Sequence, residues 1–358
     1  MSRRRGSLLL VALWLVAVLA MLSIAVAHRE ALEIRLVRSQ IEAAQARALA
    51  RGGVRYAMAL LRADAGRDQF DGLGDIWSVD QTPPPSSTPR PPDSTPPPST
   101  EVGALTVVIP AGDGMSREAS ITLRMVDEER KLPINRIGEK PVADMFQSLF
   151  GAEATKLIAN YIAPSTAPPG GGDEPLPGLH YVPKHGPIAV LEELFDIPGL
   201  AEALPTSPPD ALRASASPYL GSGDKSHINI NTADEKILAA ALSTVVLDPS
   251  VSPASLARRI VEFRWDLTDP PTEQKNAFVS LNENDRRAIG NDNGLLSDLV
   301  NLIGPSLTGL FTTQSSIFSV TSQARFAGSL LGAQVTAVID RTNIGGKDSP
   351  IRAWREGL

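Results

Sequence analysis

From Ser7 to Ala27 the chain runs 21 residues without a charge, SLLLVALWLVAVLAMLSIAVA. At 1.5 Å per residue a helix of that length spans about 30 Å, the thickness of a bilayer's hydrocarbon core. From His28 to Leu61 there is no Pro, and the strong helix formers Ala, Leu, Arg, Glu and Gln dominate. Ile34, Val37, Ile41, Ala44 and Ala48 recur at spacings of three and four, an apolar stripe on a polar helix. The pattern predicts one unbroken helix of about 55 residues. Apolar character returns in its tail, Gly52 to Leu61, where small residues suit close packing on a sheet.

The period then changes from 3.6 to two. Leu105–Ile109 is apolar and rich in β-branched residues, and Ala119, Ile121, Leu123 and Met125 alternate with Ser120, Thr122 and Arg124. The alternation returns near the C-terminus. Phe318 and Val320 alternate with Ser319 and Thr321, and Ala333, Val335, Ala337 and Ile339 with Gln334, Thr336 and Asp340. After Gly345-Gly346, Ile351–Trp354 is a last candidate strand. The long middle, about 127–315, carries no strand signal. The economical fold is α+β: a long N-terminal helix packed on an antiparallel sheet, interrupted by a large inserted all-α domain.

That middle repeats itself. Ile134-Asn135-x3-Glu139-Lys140-x-Val142-Ala143 matches Ile230-Asn231-x3-Glu235-Lys236-x-Leu238-Ala239 at an offset of 96. Leu191-x-Glu193-Leu194-Phe195-Asp196-Ile197 matches Leu296-x-Asp298-Leu299-Val300-Asn301-Leu302 at an offset of 105. Each half opens on a capped helix and closes on a helix running into a Pro/Gly hairpin, Ile197-Pro198-Gly199-Leu200 and Ile303-Gly304-Pro305. Thr232 to Glu235 has the form of a capping box.

Charge and composition narrow the function. The 358 residues include no Cys and only four His, none at metal-site spacing, which removes disulfides, thiol catalysis and Cys-zinc sites. No nucleophile elbow, zinc-protease helix, phosphate loop or dinucleotide fingerprint is present. Gly170-Gly171-Gly172-Asp173 lacks the Lys-Ser/Thr of a phosphate loop and reads as a flexible connection. A net charge of −6 opposes nucleic-acid binding, as does a hairpin, Pro198-Gly199-Leu200, followed by Ala201-Glu202 rather than by cations. Nine Pro among Ser and Thr in 82–100 make that stretch a polyproline-type or disordered insertion. Asp127-Glu128-Glu129-Arg130-Lys131 reads as a solvated junction into the insertion. Asn282-Glu283-Asn284-Asp285 and Asn291-Asp292-Asn293-Gly294 offer oxygen ligands suited to calcium, without EF-hand spacing. Turn formation and helix capping are their plainer roles.

Arg3, Arg4 and Arg5 precede the apolar span, so the positive-inside rule puts residues 1–6 in the cytoplasm and the rest across the membrane. Ala25-Val26-Ala27 offers a signal-peptidase site, but the apolar run exceeds the roughly 7–15 residues of a secretory signal. A short basic leader ending in Gly6, directly before an apolar span that continues as a helix, resembles the type IV prepilins and pseudopilins. The resemblance implies that a membrane prepilin peptidase cuts at Gly6–Ser7 and methylates the new amine. The family's major subunits carry Glu at the fifth mature position; here it is Val11. That departure, the split sheet and the duplicated insertion resemble the K-type minor pseudopilins of type II secretion systems, whose insertion consists of two SAM-like, helix-hairpin-helix units. Ala159-Asn160-Tyr161-Ile162-Ala163 departs from the acidic pattern common in that family.

The implied organisation is leader 1–6, transmembrane segment 7–27, distal helix 28–65, Pro-rich loop and first strands 66–126, insertion 127–315 in units of 127–222 and 223–315, and closing strands 316–358. The resemblance implies a structural protein rather than an enzyme. It would be held in the inner membrane by a single pass, with its C-terminal part in the periplasm. Its partners would be other minor pseudopilins, the prepilin peptidase and the inner-membrane assembly platform. It would need no cofactor, with calcium the open metal question, and it would sit at the pseudopilus tip and prime assembly. A reading from another class is a membrane-anchored periplasmic sensor whose helix-hairpin-helix module binds a ligand or nucleic acid; such a protein would keep its leader.

Overall fold

The computed structural model describes residues 4–67, 69–78, 104–111, 117–164, 183–204, 208–219, 227–246, 248, 250–264, 276–282, 284–290, 292, 294–329 and 331–357. The Pro-rich stretch 82–100, residues 170–173 and Met1 to Arg3 lie outside them. In chain order the elements are α1 (Arg4–Asp64), β1 (Ala104–Ile109), β2 (Ala119–Asp127), β3 (Leu132–Pro133), α2 (Lys140–Phe150), α3 (Ala152–Ile162), α4 (Leu200–Ala203), α5 (Pro208–Ser215), β4 (Ala216–Ser217), β5 (Ile228–Asn229), α6 (Glu235–Ser243), α7 (Pro253–Arg264), β6 (Ala277–Ser280), β7 (Arg287–Ile289), α8 (Leu295–Ile303), α9 (Ser306–Leu310), β8 (Phe311–Thr312), β9 (Ile317–Phe326), β10 (Gly332–Asp340) and β11 (Ile351–Gly357).

Five strands form one antiparallel sheet in the order β1-β2-β9-β10-β11. Its central pair joins β2 to β9, strands separated in sequence by the whole insertion, with Met125 opposite Val320 and Asp127 opposite Phe318. The alternation read from the sequence sets the faces. Ala119, Ile121, Leu123 and Met125 share a core with Phe318, Val320, Ala333, Val335, Ala337 and Ile339, beneath α1.

The single 61-residue helix α1 meets the sheet along Ala46, Ala50, Val54, Ala57 and Leu61, all essentially sealed from solvent. This corrects the predicted stripe. Ile34, Val37 and Ile41 stand exposed, as do Ala44 and Ala48. The buried register uses small residues because the helix approaches closely. A Cβ on Gly53 would meet Ile121 Cγ2 at 2.8 Å, Leu123 Cδ2 at 2.9 Å and Ser322 Oγ closer still, whereas one on Gly52 would meet nothing. Gly53→Val is therefore expected to destabilise by about 2 kcal/mol or more through overpacking. Gly52→Ala should stabilise by about 0.5–1 kcal/mol, because an exposed helix interior prefers Ala. Thermal unfolding of the two variants checks the register; a Gly53→Val midpoint at or above wild type would contradict it.

Between β2 and β9 lies a second, separate core built from α2 to α9. It contains short strands that the sequence pattern did not announce, including the β6–β7 hairpin and two parallel pairs of two residues each. Such short segments are below the length at which a period of two can register. The duplication has a matching geometry. In the first half β3 pairs with β4, and in the second β5 pairs with β8, each closing its unit by a parallel bridge. Asn135 Nδ2 donates to the carbonyls of Ile188 (2.9 Å) and Pro218 (2.6 Å) while its Oδ1 accepts from Ile188 N (2.7 Å). Its counterpart Asn231 donates to Phe278 O (2.9 Å) and accepts from Phe278 N (2.8 Å). One side-chain amide thus plays the part of a strand neighbour in each half. The hairpins also correspond, with positive φ at Gly199 (80°) and at Gly304 (58°). Fully buried Arg264, at the end of α7, donates to the carbonyls of Ile230 and Ala233 and ties α7 to the turn before α6.

Candidate functional site

Two features of the chain mark candidate sites: the outer length of α1 and the polar seam where the insertion leaves the sheet. Gly6 and Ser7 lie within α1, and side-chain surroundings are described only from Leu10 onward. Every large apolar side chain from Leu10 to Val26 is exposed, Val11 among them at 60 %. By length and composition this is a helix able to cross a membrane. The far end of α1 is tied to the sheet by a forked ion pair, Arg51 to Glu356, with both N–O distances 2.9 Å.

The seam overturns the reading of 127–131 as a solvated charge run. Asp127, Glu128 and Arg130 are buried, and all five residues are engaged. Asp127 Oδ2 accepts from Thr232 Oγ1 (2.6 Å), Ser315 Oγ (2.7 Å) and Asn229 Nδ2 (3.2 Å), and Oδ1 accepts from Glu129 N (2.8 Å). Glu128 pairs with Lys131 (3.0 Å) and accepts from Ser319 Oγ (2.6 Å). Glu129 Oε1 accepts from Ser316 N (2.9 Å) and Ser316 Oγ (2.5 Å), and Arg130 pairs with Asp234 (3.0 Å). Thr232 therefore serves Asp127 instead of closing a capping box. The N-cap of α6 is Asp234, without a side-chain cap bond, and Glu235 reaches Arg258 at 3.4 Å.

Arg341, just past β10, completes the seam. Its guanidinium holds Asp71 at 2.5 and 2.6 Å, reaches Asp64 at 3.3 Å and donates to Ser315 O. Asp71 Oδ2 also accepts from Ser315 N (2.7 Å). Burial would depress the Arg341 pKa, but the bonds to Asp71 raise it overall. Burial pushes the Asp127 carboxyl up to about 6 despite its donors, with Asp71 adding to the rise. Burial and the neighbouring Asp127 charge push Glu129 up to about 7. Glu128 moves the other way, because Lys131 and its hydrogen bonds outweigh burial.

The predicted calcium residues are not brought together as a cage by what is described. Asp285 pairs with Arg287 at 2.7 Å, and Asp292 accepts from Gly294 N and Leu296 N at the start of α8. Glu283, Asn291 and Asn293 lie outside the described residues. Asp64, Asp71 and Asp75 do bring carboxylate oxygens within 4.8 Å of one another, but Arg341 supplies the positive charge there. Sequence reasoning missed Asp71, Ser315 and Arg341, which have no motif. The one available signal, for Ser315 and Arg341, was their position beside strand ends, where the alternation stops.

Among solved structures the chain matches one in the crystal structure of the GspK-GspI-GspJ complex from the enterotoxigenic Escherichia coli type 2 secretion system. Identity is 14 % and the TM-score 0.53, over 90 % of this chain and 99 % of that one. The two share a fold. No family model and no curated protein matches the sequence. The shared region takes in nearly all of both chains, so the likeness covers a long helix, a split antiparallel sheet and a helical insertion together rather than one module.

Proposed function

We propose that the chain is a K-type minor pseudopilin of a type II secretion system, placed at the pseudopilus tip with other minor pseudopilins. One observation carries this reading. A helix that is bare and apolar in its first part lies on a sheet in its last, in a chain that shares its fold over 90 % of its length with one from the GspK-GspI-GspJ complex of a type 2 secretion system. The apolar segment would hold the protein in the inner membrane, with residues 1–6 in the cytoplasm and the folded part in the periplasm. Prepilin peptidase would cut at Gly6–Ser7 and methylate Ser7, leaving 31 basic and 40 acidic residues. The assembly platform would then draw the helix into a bundle. The role calls for no catalytic group and no cofactor.

Shape supports the tip placement. A pilin-type filament grows by a repeated head-to-tail contact. The insertion between β2 and β9 would occupy the volume of a subunit stacked above. Val11 fits the same position. The family's Glu offsets the terminal amine of a neighbour in apolar surroundings, where an unpaired charge is costly. A subunit that enters first has no earlier neighbour to neutralise. In membranes containing prepilin peptidase, Gly6→Val should arrest processing, because the peptidase site must accept a residue without a side chain. A Ser7 terminus recovered from that variant would refute the assignment.

A further inference from the structure

We propose that Glu129 is a proton-operated latch between the sheet and the helical insertion, tight when its carboxyl is protonated and loosened when it ionises. Glu129 sits on the turn by which β2 leaves the sheet, and its bonds go to Ser316, the residue before β9 returns. The insertion thus hangs between the two residues that Glu129 joins. Beside it Asp127 reaches Asn229 and Thr232, inside the second repeat. Any loosening of this turn therefore frees both ends of the insertion and its nearest internal support.

The seam holds too many acids for its cations. Around Glu129 stand Asp127 on the same turn, Asp64 at the end of α1, Asp71 just beyond it, and Arg341 after β10. His227, before β5, lines the same cavity of about 340 Å³ as Glu129 and Arg341. The Glu128–Lys131 and Arg130–Asp234 pairs flank the turn and are internally balanced. Arg341 is bonded to Asp71 and Asp64 and its charge also reaches Asp127, while Glu129 faces the Asp127 charge without a cation bonded to it. Asp127 has donors on both oxygens and sits lower, at about 6, so it is already charged where Glu129 ionises. Glu129 receives both of its bonds on Oε1, so the other oxygen can take a proton without losing either. Protonation there removes one negative charge from the seam and leaves its hydrogen bonds in place.

The sign follows from the folded-state value of about 7, above the ordinary Glu range. The closed seam binds the proton more tightly than the open one, so closure is favoured at low pH and weakens as pH rises through that value. Between pH 6 and 8.5 a single such proton increases opening about tenfold. The inference concerns the fold alone and does not depend on the proposed place in a secretion system.

The test is hydrogen exchange of the full chain in detergent micelles at pH 6 and 8.5, corrected for intrinsic rates, read at the amides of Ser315 and Ser316. In the wild type their protection should fall about tenfold across that range, while amides of α2 keep theirs. Glu129→Gln, a neutral isostere, should lose most of that fall and keep only the small part, about twofold, that comes from Asp127. Unchanged wild-type protection would overturn the proposal. So would a Gln variant with the wild-type pH response, or one that fails to fold, since the neutral form is the one required to be tight.

Discussion

Arg341→Ala will cost about 3–5 kcal/mol, the penalty for stranding a buried charge whose partner has been removed. Asp71 loses both arms of its fork and Asp64 its nearest cation, and both carboxylates are almost completely enclosed. The vacated guanidinium also releases Ser315 O and its stack on Phe318, 5.1 Å from the ring centroid. Against a domain stability of about 5–15 kcal/mol, such a loss is large. Arg341→Lys keeps the charge but not the fork and should fall between the two. Asp71→Asn in the Arg341→Ala background should recover part of the loss by removing the stranded charge. Thermal unfolding of this set checks the assignment. An Arg341→Ala midpoint within 2 °C of wild type, equivalent to roughly 1 kcal/mol or less, would show the seam to be dispensable.

The second large effect falls on the clamp of the second repeat. Asn231 is fully buried and satisfies both the N–H and the C=O of Phe278. Asn231→Ala leaves two backbone groups without partners in a closed core, at about 1–3 kcal/mol for each group. Asn231→Asp should be no better. A carboxylate still accepts from Phe278 N, but it cannot donate to Phe278 O and brings an unpaired charge into the core. Asn135→Ala removes the equivalent bonds in the first repeat, where the site is only partly buried and water can replace some of them. A ranking with Asn135→Ala the more damaging would contradict the account of how the two units are closed.

The sheet was legible because its signal is local. Ala119 to Met125 and Ala333 to Ile339 alternate strictly, and the structure buries the residues that the alternation selects. The paired Asn135 and Asn231 were visible as a repeat, although nothing in the sequence said what the amides bind. The tail Gly52–Leu61 was legible as the part that packs on the sheet, where Val54, Ala57 and Leu61 are buried, but the stripe ahead of it was misread for a physical reason. Hydrophobic weight points to Ile34, Val37 and Ile41, yet close approach to the sheet selects small side chains, so Ala46, Ala50 and Gly53 make the contact. The run 127–131 was misread because its partners, Asn229, Thr232 and Ser315, lie about a hundred or more residues away. Charge alone does not tell a solvated run from a buried network whose other half is that distant. Gly6, Ser7 and Val11 stood out only through resemblance, since the role proposed for them involves a peptidase and a neighbouring helix rather than this chain's own packing.

The most direct test of the pseudopilin assignment is the intact mass of the native protein extracted from membranes. The account predicts a chain that begins at Ser7 and carries one methyl group on its terminal amine, with Met1 to Gly6 gone. A membrane form that retains Met1 to Gly6, or one cut after Ala27, would contradict it.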